Sequence, residues 1–153
     1  MSAQVLETRT LTYSLELTIE ATPEQVWNSL TEEINAWWLP DYHMTGPDSI
    51  VTFDTRAGGQ LREETPSGAS LLWYTVHMCV PHSSVDLIGH LSAAYGGPAT
   101  TMLHLGLEAI NAGTRLSITD SMIGHMSDGT MKSLSEGWMQ LFRDGLKSYV
   151  ESN

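Results

Sequence analysis

Between Leu11 and Ala21 the chain alternates apolar Leu11, Tyr13, Leu15, Leu17 and Ile19 with polar Thr12, Ser14, Glu16, Thr18 and Glu20. Successive strand side chains point to opposite faces, so the pattern predicts a half-buried β-strand. The chemistry changes at Thr22-Pro23-Glu24-Gln25. A hydroxyl cap, a proline at the first helical position and a glutamine completing a capping box start a helix that turns Val26, Trp27 and Leu30 inward. A second short helix, about Glu32 to Trp38, is stopped by Pro40, because the residue before proline is pushed out of helical conformation. Leu39 to Pro47 is read as a loop.

From Ser49 onward turn residues recur at Ala57-Gly58-Gly59, Pro66-Ser67-Gly68, Pro81-His82-Ser83, Gly96-Gly97-Pro98 and Asn111-Ala112-Gly113. They divide six strand candidates and predict a meander of antiparallel hairpins. In the last hairpin, a turn at Asn111 to Gly113 sets Glu108 opposite Arg115. One face then collects Leu103, Leu105, Leu107, Leu116, Ile118 and Met122, while Ser117, Thr119 and Ser121 face water. The preceding strand adds Val85, Leu87, Gly89 and Leu91 to the inner face. Leu71 to Val80 has apolar residues on both parities. Either Trp73, Thr75, His77 and Cys79 or Leu72, Tyr74, Val76 and Met78 point inward, depending on a shift of one residue.

The chain closes with helical periodicity from Thr130 to Glu151, which places Met131, Leu134, Trp138, Leu141, Phe142, Gly145 and Tyr149 on one face. A glycine inside a helix costs about 1 kcal/mol relative to alanine. Gly145 on the buried face therefore predicts that something comes close there, and a sheet curled around this helix would enclose a pocket.

Four stretches carry a resemblance: Thr22-Pro23-Glu24-Gln25-Val26-Trp27 with Trp37-Trp38; Val51-Thr52-Phe53-Asp54-Thr55-Arg56-Ala57-Gly58-Gly59-Gln60-Leu61-Arg62; Gly113-Thr114-Arg115-Leu116; and Glu136-Gly137-Trp138. With the element order, they resemble the START-like, or helix-grip, superfamily (SRPBCC), which includes polyketide cyclase-like proteins and the birch-pollen allergen type. The branch they suit is the one named for the activator of the heat-shock-protein-90 ATPase. The likeness spans about Leu11 to Glu151. It implies an α+β fold, a seven-stranded antiparallel sheet gripping the long C-terminal helix over a mostly apolar cavity. One such domain is expected over 11–152, after a short polar segment at 1–10. No reaction is implied, because one scaffold in this superfamily serves carriers, cyclases, hydrolases and chaperone partners.

Composition narrows the partners. The 153 residues carry 7 Lys plus Arg against 18 Asp plus Glu, a formal charge of −11 that repels phosphate backbones and anionic lipid surfaces. Neither nucleic acid nor membrane is expected as a partner. Met1-Ser2-Ala3-Gln4 has no basic segment leading into an apolar core, so no secretory signal is read and a cytoplasmic address is expected. Cys79, the only cysteine, leaves no internal disulfide and is read as a small buried hydrophobe.

Among ionisable residues Asp120 stands out, because the register sends it inward beside Leu103. A buried carboxylate requires a partner, which makes Asp120 a candidate ligand anchor or general acid/base. An inward His77 would work with it or orient a polar ligand. The other histidines show no metal-ligand spacing; His90 and His104 become outer-face neighbours if the Gly96-Gly97 turn pairs its strands symmetrically. Trp27 and Trp37 are expected in the core, with Trp38 nearer the entrance and Tyr95 at the rim. Asp54 and Arg56 are read as an edge ion pair. Gly58-Gly59 lacks the strand-to-helix setting of a phosphate loop, and no strained serine turn appears.

The expected function is therefore binding of a small, mainly apolar or amphipathic molecule, without metal or cofactor. The cavity is expected to be lined by Trp38, His77, Leu87, Tyr95, Leu103, Leu105, Leu107, Leu116, Ile118, Asp120, Met122, Trp138, Leu141 and Gly145. Two alternatives follow. The same cavity would be that of a cyclase or hydrolase if Asp120 and His77 converge inside it, or an outer surface would serve a chaperone. A homodimer is a further expectation.

Overall fold

The alternation before Thr22 and the capping chemistry after it become β1 (Arg9–Ile19) and α1 (Pro23–Thr31) in the computed structural model, which describes residues 1–153. Gln25 N–H donates to Thr22 Oγ1 at 3.2 Å, and Thr22 N–H donates to Gln25 Oε1 at 3.0 Å. Both otherwise orphaned backbone donors at the helix start are thus satisfied. α2 (Ile34–Trp37) follows and ends before a 3₁₀ turn at Pro40–Tyr42. β1 begins two residues earlier than the alternation indicates, where the Arg9 guanidinium meets Asp128 at 2.9 Å and ties the strand to the start of the closing helix.

Six more strands complete one antiparallel sheet: β2 (Ile50–Phe53), β3 (Gln60–Glu64), β4 (Ser70–Val80), β5 (Ser84–Leu91), β6 (Ala99–Ile110) and β7 (Gly113–Gly124). Their spatial order is β1-β7-β6-β5-β4-β3-β2, a meander whose last strand is joined by the first. The predicted β6–β7 register holds. Glu108 faces Arg115, with Oε2 and Nη1 3.0 Å apart, and Leu103 faces Asp120.

Two expectations about register need correction. His90 and His104 are not neighbours: the β5–β6 hairpin pairs Leu91 with Ala99, pivoting on Tyr95 rather than on Gly96-Gly97. His90 therefore lies opposite Thr100, and His104 opposite Asp86, whose carboxylate is 2.7 Å from its Nδ1. The second correction concerns β4, which uses both of its parities. Its register slips at Trp73 against β3 and at His77 against β5. Each bulge adds an unpaired residue and inverts the faces beyond it. Tyr74 and Val76 consequently point inward, Cys79 pairs with the inward Val85, and His77 is left exposed.

The closing helix, 128–151, is capped by Ser127, whose Oγ accepts from Thr130 N–H at 3.1 Å. It runs as α3 (Asp128–Gln140), a π-helical segment (Leu141–Lys147) and α4 (Ser148–Glu151). A π turn closes on the fifth residue rather than the fourth, so the buried stripe slides forward along the sequence. Leu146 and Val150 are buried where an unbroken α period points to Tyr149, which is only half-buried. The core lies between this helix and the concave face of the sheet, with α1 and α2 closing one end. No helix is long and apolar enough to cross a membrane.

Candidate functional site

Bulky aromatic side chains decide where space remains under the closing helix. Ring centroids run from Tyr74 to Trp138 (6.0 Å), Trp138 to Phe142 (5.8 Å), Phe142 to Trp37 (6.0 Å), Trp37 to Trp38 (5.7 Å) and Trp38 to Trp73 (5.4 Å). Trp73 and Tyr74 are adjacent in β4, so the series closes on itself. Between the α3 half of the helix and the sheet a cavity of about 430 Å³ remains.

Five segments line it, and it opens to solvent at one mouth. Ser133, Leu134, Gly137 and Trp138 of α3 form the roof; Leu71, Leu72, Trp73 and Tyr74 of β4 form one side. The end of β5 and the following turn contribute His90, Leu91, Ser92 and Tyr95, while Asp41, Tyr42 and Met44 come from the loop after α2. Thr101 of β6 and Asp120 and Met122 of β7 make the floor. Gly89 is what lets Tyr74 lie there, since a Cβ on it would sit 2.8 Å from the Tyr74 ring.

Asp120 follows Leu116 and Ile118 on the inward parity of β7 and is 1% exposed. Thr101 Oγ1 donates to its Oδ1 at 2.5 Å. Its Oδ2 accepts from the Tyr13 hydroxyl at 2.8 Å and from Trp138 Nε1 at 3.3 Å. Neighbouring strands and the helix above thus each supply a neutral donor, as a buried carboxylate requires. Burial, then the Asp120 charge and its hydrogen bond, pushes the Tyr13 hydroxyl far above the ordinary phenol range. Burial and then the Asp120 charge do the same to Tyr74.

At the mouth, the Tyr42 hydroxyl donates to the Gly137 carbonyl at 2.9 Å, and Gln140 Oε1 lies 3.1 Å away. The loop after α2 is thereby latched to the closing helix. Burial, followed by the charges of Asp144 and Asp41, raises the Tyr42 hydroxyl's pKa.

Of the residues expected in the cavity, Tyr95, Asp120, Met122 and Trp138 line it. Leu87, Leu103, Leu105, Leu116, Ile118 and Leu141 are buried in the close-packed core, and half-buried Leu107 packs against that core. The aromatic series occupies the space that would have exposed them. Trp38 is not at the entrance: it is buried, and its Nε1 donates to the Tyr42 carbonyl at 2.9 Å. His77, carried outward by its bulge, cannot act with Asp120, so the pair needed for acid/base chemistry is not assembled. Gly145 faces the short helices rather than the cavity; a Cβ there would stand 2.7 Å from the Trp37 carbonyl oxygen.

Sequence reasoning passed over Thr101, Tyr74 as a wall, and a second buried carboxylate. Glu63 of β3 is 0% exposed and accepts from Thr45 N–H at 2.6 Å. Ser49 Oγ lies 3.4 Å from its Oε2 and 2.7 Å from His43 Nδ1. The available signal was parity, since Glu63 alternates with inward Leu61. This network holds the loop that carries Tyr42. Serine stands between histidine and glutamate, so no histidine-centred catalytic triad is formed.

The family model described as activator of Hsp90 ATPase homolog 1-like protein matches residues 20–151. No curated protein matches the chain. Among solved structures, the Aha1 dimer from Colwellia psychrerythraea is 19% identical with a TM-score of 0.67, covering 92% of this chain and 96% of that one. A Rhizobium leguminosarum protein is 15% identical with a TM-score of 0.71, covering 98% of this chain and 100% of its own. Protein MLL2253 from Mesorhizobium loti is 18% identical with a TM-score of 0.68, over 94% and 98%. At these identities the likeness is one of fold: a helix-grip sheet wrapped around a long C-terminal helix.

Proposed function

The chain belongs to the family of activator of Hsp90 ATPase homolog 1-like proteins, and from that premise we propose that it binds a small, mainly apolar molecule between the sheet and the α3 half of the closing helix. The observation that carries this reading is the cavity of about 430 Å³ with the Asp120 carboxylate at its floor. Small-molecule pockets span roughly 300–1,000 Å³ and combine apolar walls with a few placed polar groups. Here Leu71, Leu91, Met122, Leu134 and Trp138 supply apolar surface, and Asp120, Thr101 and Tyr74 supply polarity. Shape and burial set affinity, and the floor sets orientation.

Native mass spectrometry of protein purified from its own host tests the proposal. A reproducible added mass, lost when Leu134→Trp fills the cavity from the roof, supports it. An empty spectrum together with no uptake of small amphiphiles in solution overturns it.

The family description favours a second reading, a chaperone-facing module. That reading needs an apolar outer surface. The outer face of β1 and β7 instead pairs Thr12 with Ser121 at 2.9 Å and Ser14 with Thr119 at 3.0 Å, and β5–β6 adds the His104–Asp86 pair. Met78, Val80, Met102 and Ile123 are exposed on this face and Ile88 is half-buried beside Met102, but they alternate with polar Asp86, Ser84, Ser121 and Thr100 across the strands. A pull-down with Hsp90 tests this reading. Sedimentation tests self-association, which the dimer named for the Colwellia protein brings forward.

A further inference from the structure

Resting on the cavity reading above, we infer that the site selects a cationic amphiphile, one whose protonated amine meets Asp120 while its apolar body fills the cavity, over neutral and anionic counterparts. Asp120 lies at the floor with no cationic partner. Its three donors, Tyr13, Thr101 and Trp138, are all neutral, and it takes part in none of the protein's ion pairs. A carboxylate offers about four lone-pair sites. Oδ2 accepts twice and Oδ1 once, so Oδ1 has room for one further donor.

The walls agree with the floor. Tyr42, Trp73, Tyr74, Tyr95 and Trp138 are aromatic, and aromatic rings attract a desolvated ammonium through their quadrupoles. No lysine or arginine lines the cavity; its only basic side chain is His90, exposed at the mouth, where Asp41 also stands. A ligand carboxylate or phosphate would therefore place its charge near Asp120 with no counter-ion, and burial of an unpaired like charge is strongly unfavourable. An alcohol would make one hydrogen bond and leave the charge of Asp120 uncompensated. An ammonium supplies both.

The test is calorimetric titration of the intact chain with decylamine, 1-decanol and decanoate, three probes that share an apolar body and differ in head group. It is run near neutral pH in about 0.3 M salt, which screens adsorption of the amine to an acidic surface but leaves a buried pair intact. The expected order is amine, then alcohol at about tenfold weaker, then carboxylate weaker still. Asp120→Asn is expected to abolish the preference, bringing the ratio of amine to alcohol affinity to about one. Decanol or decanoate binding the wild-type chain as tightly as decylamine overturns the inference and leaves the cavity reading standing; this comparison needs no variant. Retained amine preference in a folded Asp120→Asn chain overturns it equally. Uptake of none of the three probes overturns the inference, and together with an empty native mass spectrum it removes the cavity reading as well.

Discussion

Trp138 Nε1 donates to Asp120 Oδ2 across 3.3 Å, so the closing helix is held to the sheet by a hydrogen bond at the cavity floor. The same oxygen accepts from Tyr13, which lies directly opposite Asp120 on the neighbouring strand. One carboxylate thus joins β1, β6, β7 and the helix, and any ligand that reaches it acts on all four.

Removing that acceptor should be far costlier than removing one of its donors. Asp120→Leu leaves Tyr13, Thr101 and Trp138 without their shared partner, and each unsatisfied buried polar group costs about 1–3 kcal/mol. Trp138→Phe keeps an aromatic ring and removes a single donor, for about 1–2 kcal/mol. Urea unfolding midpoints should separate the two variants clearly. Equal losses would mean that Asp120 does not organise the floor.

Alkaline pH should destabilise the fold through Tyr13 and Tyr74, whose hydroxyls are held above the ordinary phenol range. Below about pH 10 both residues are neutral whether the chain is folded or not, and their contribution to stability is fully present. Above it the unfolded chain releases these protons while the folded chain keeps them. The unfolded state then binds fewer protons, and stability falls as pH rises toward the raised folded values. Stability measured between about pH 8 and 11 should decline less steeply in Tyr13→Phe and Tyr74→Phe than in the wild type. Parallel curves for all three would refute the assignment.

Gly145 is expected to matter for the fold and not for uptake. Its missing Cβ makes room for the Trp37 carbonyl at 2.7 Å, with the Trp37 ring at 3.1 Å. Backbone cannot swing aside, so Gly145→Ala should cost about 1–3 kcal/mol by overpacking, and Gly145→Leu should compromise folding rather than fill a pocket. Gly89→Ala should also cost stability, since its Cβ would stand 2.6 Å from the Trp73 carbonyl oxygen, but it pushes on the Tyr74 ring at 2.8 Å as well and should in addition weaken ligand binding. Ligand affinity unchanged in Gly89→Ala but lost in folded Gly145→Ala would reverse the placement of the cavity.

What was legible in the chain had local causes. Thr22 to Gln25 carries its own capping chemistry, and the register of β6 on β7 follows from a tight turn, so Asp120 could be placed inward from pattern alone. β4 was not legible, because its bulges at Trp73 and His77 are set by pairing with β3 and β5, strands that its own residues do not encode. The π segment escaped a fixed period for a related reason: its Gly145 meets Trp37 and Leu39 of a distant part of the chain, a contact that helical periodicity does not encode. The cavity's position depends on how six aromatic side chains share one interior, and period-2 alternation carries no such information. Inward parity therefore placed Leu103 and Ile118 on the inner face and made them expected cavity lining, yet could not say that they would be buried in the close-packed core instead.

Tyr42 should govern how fast a ligand leaves. Its hydroxyl reaches the Gly137 carbonyl at 2.9 Å and joins the loop after α2 to the helix at the point where both line the cavity. Carbonyl oxygens within a helix are already engaged by the backbone ladder, so this extra bond is modest, about 0.5–1.5 kcal/mol. Tyr42→Phe keeps the ring and its packing while removing the latch. The fold should lose no more than that amount, but the loop should open more often, and ligand dissociation should quicken by about 2- to 10-fold with a smaller change in association. Stopped-flow displacement followed by tryptophan fluorescence reads both rates, because Trp73 and Trp138 line the cavity. An unchanged dissociation rate in a variant of lowered stability would show that Tyr42 only braces the helix and does not gate the cavity.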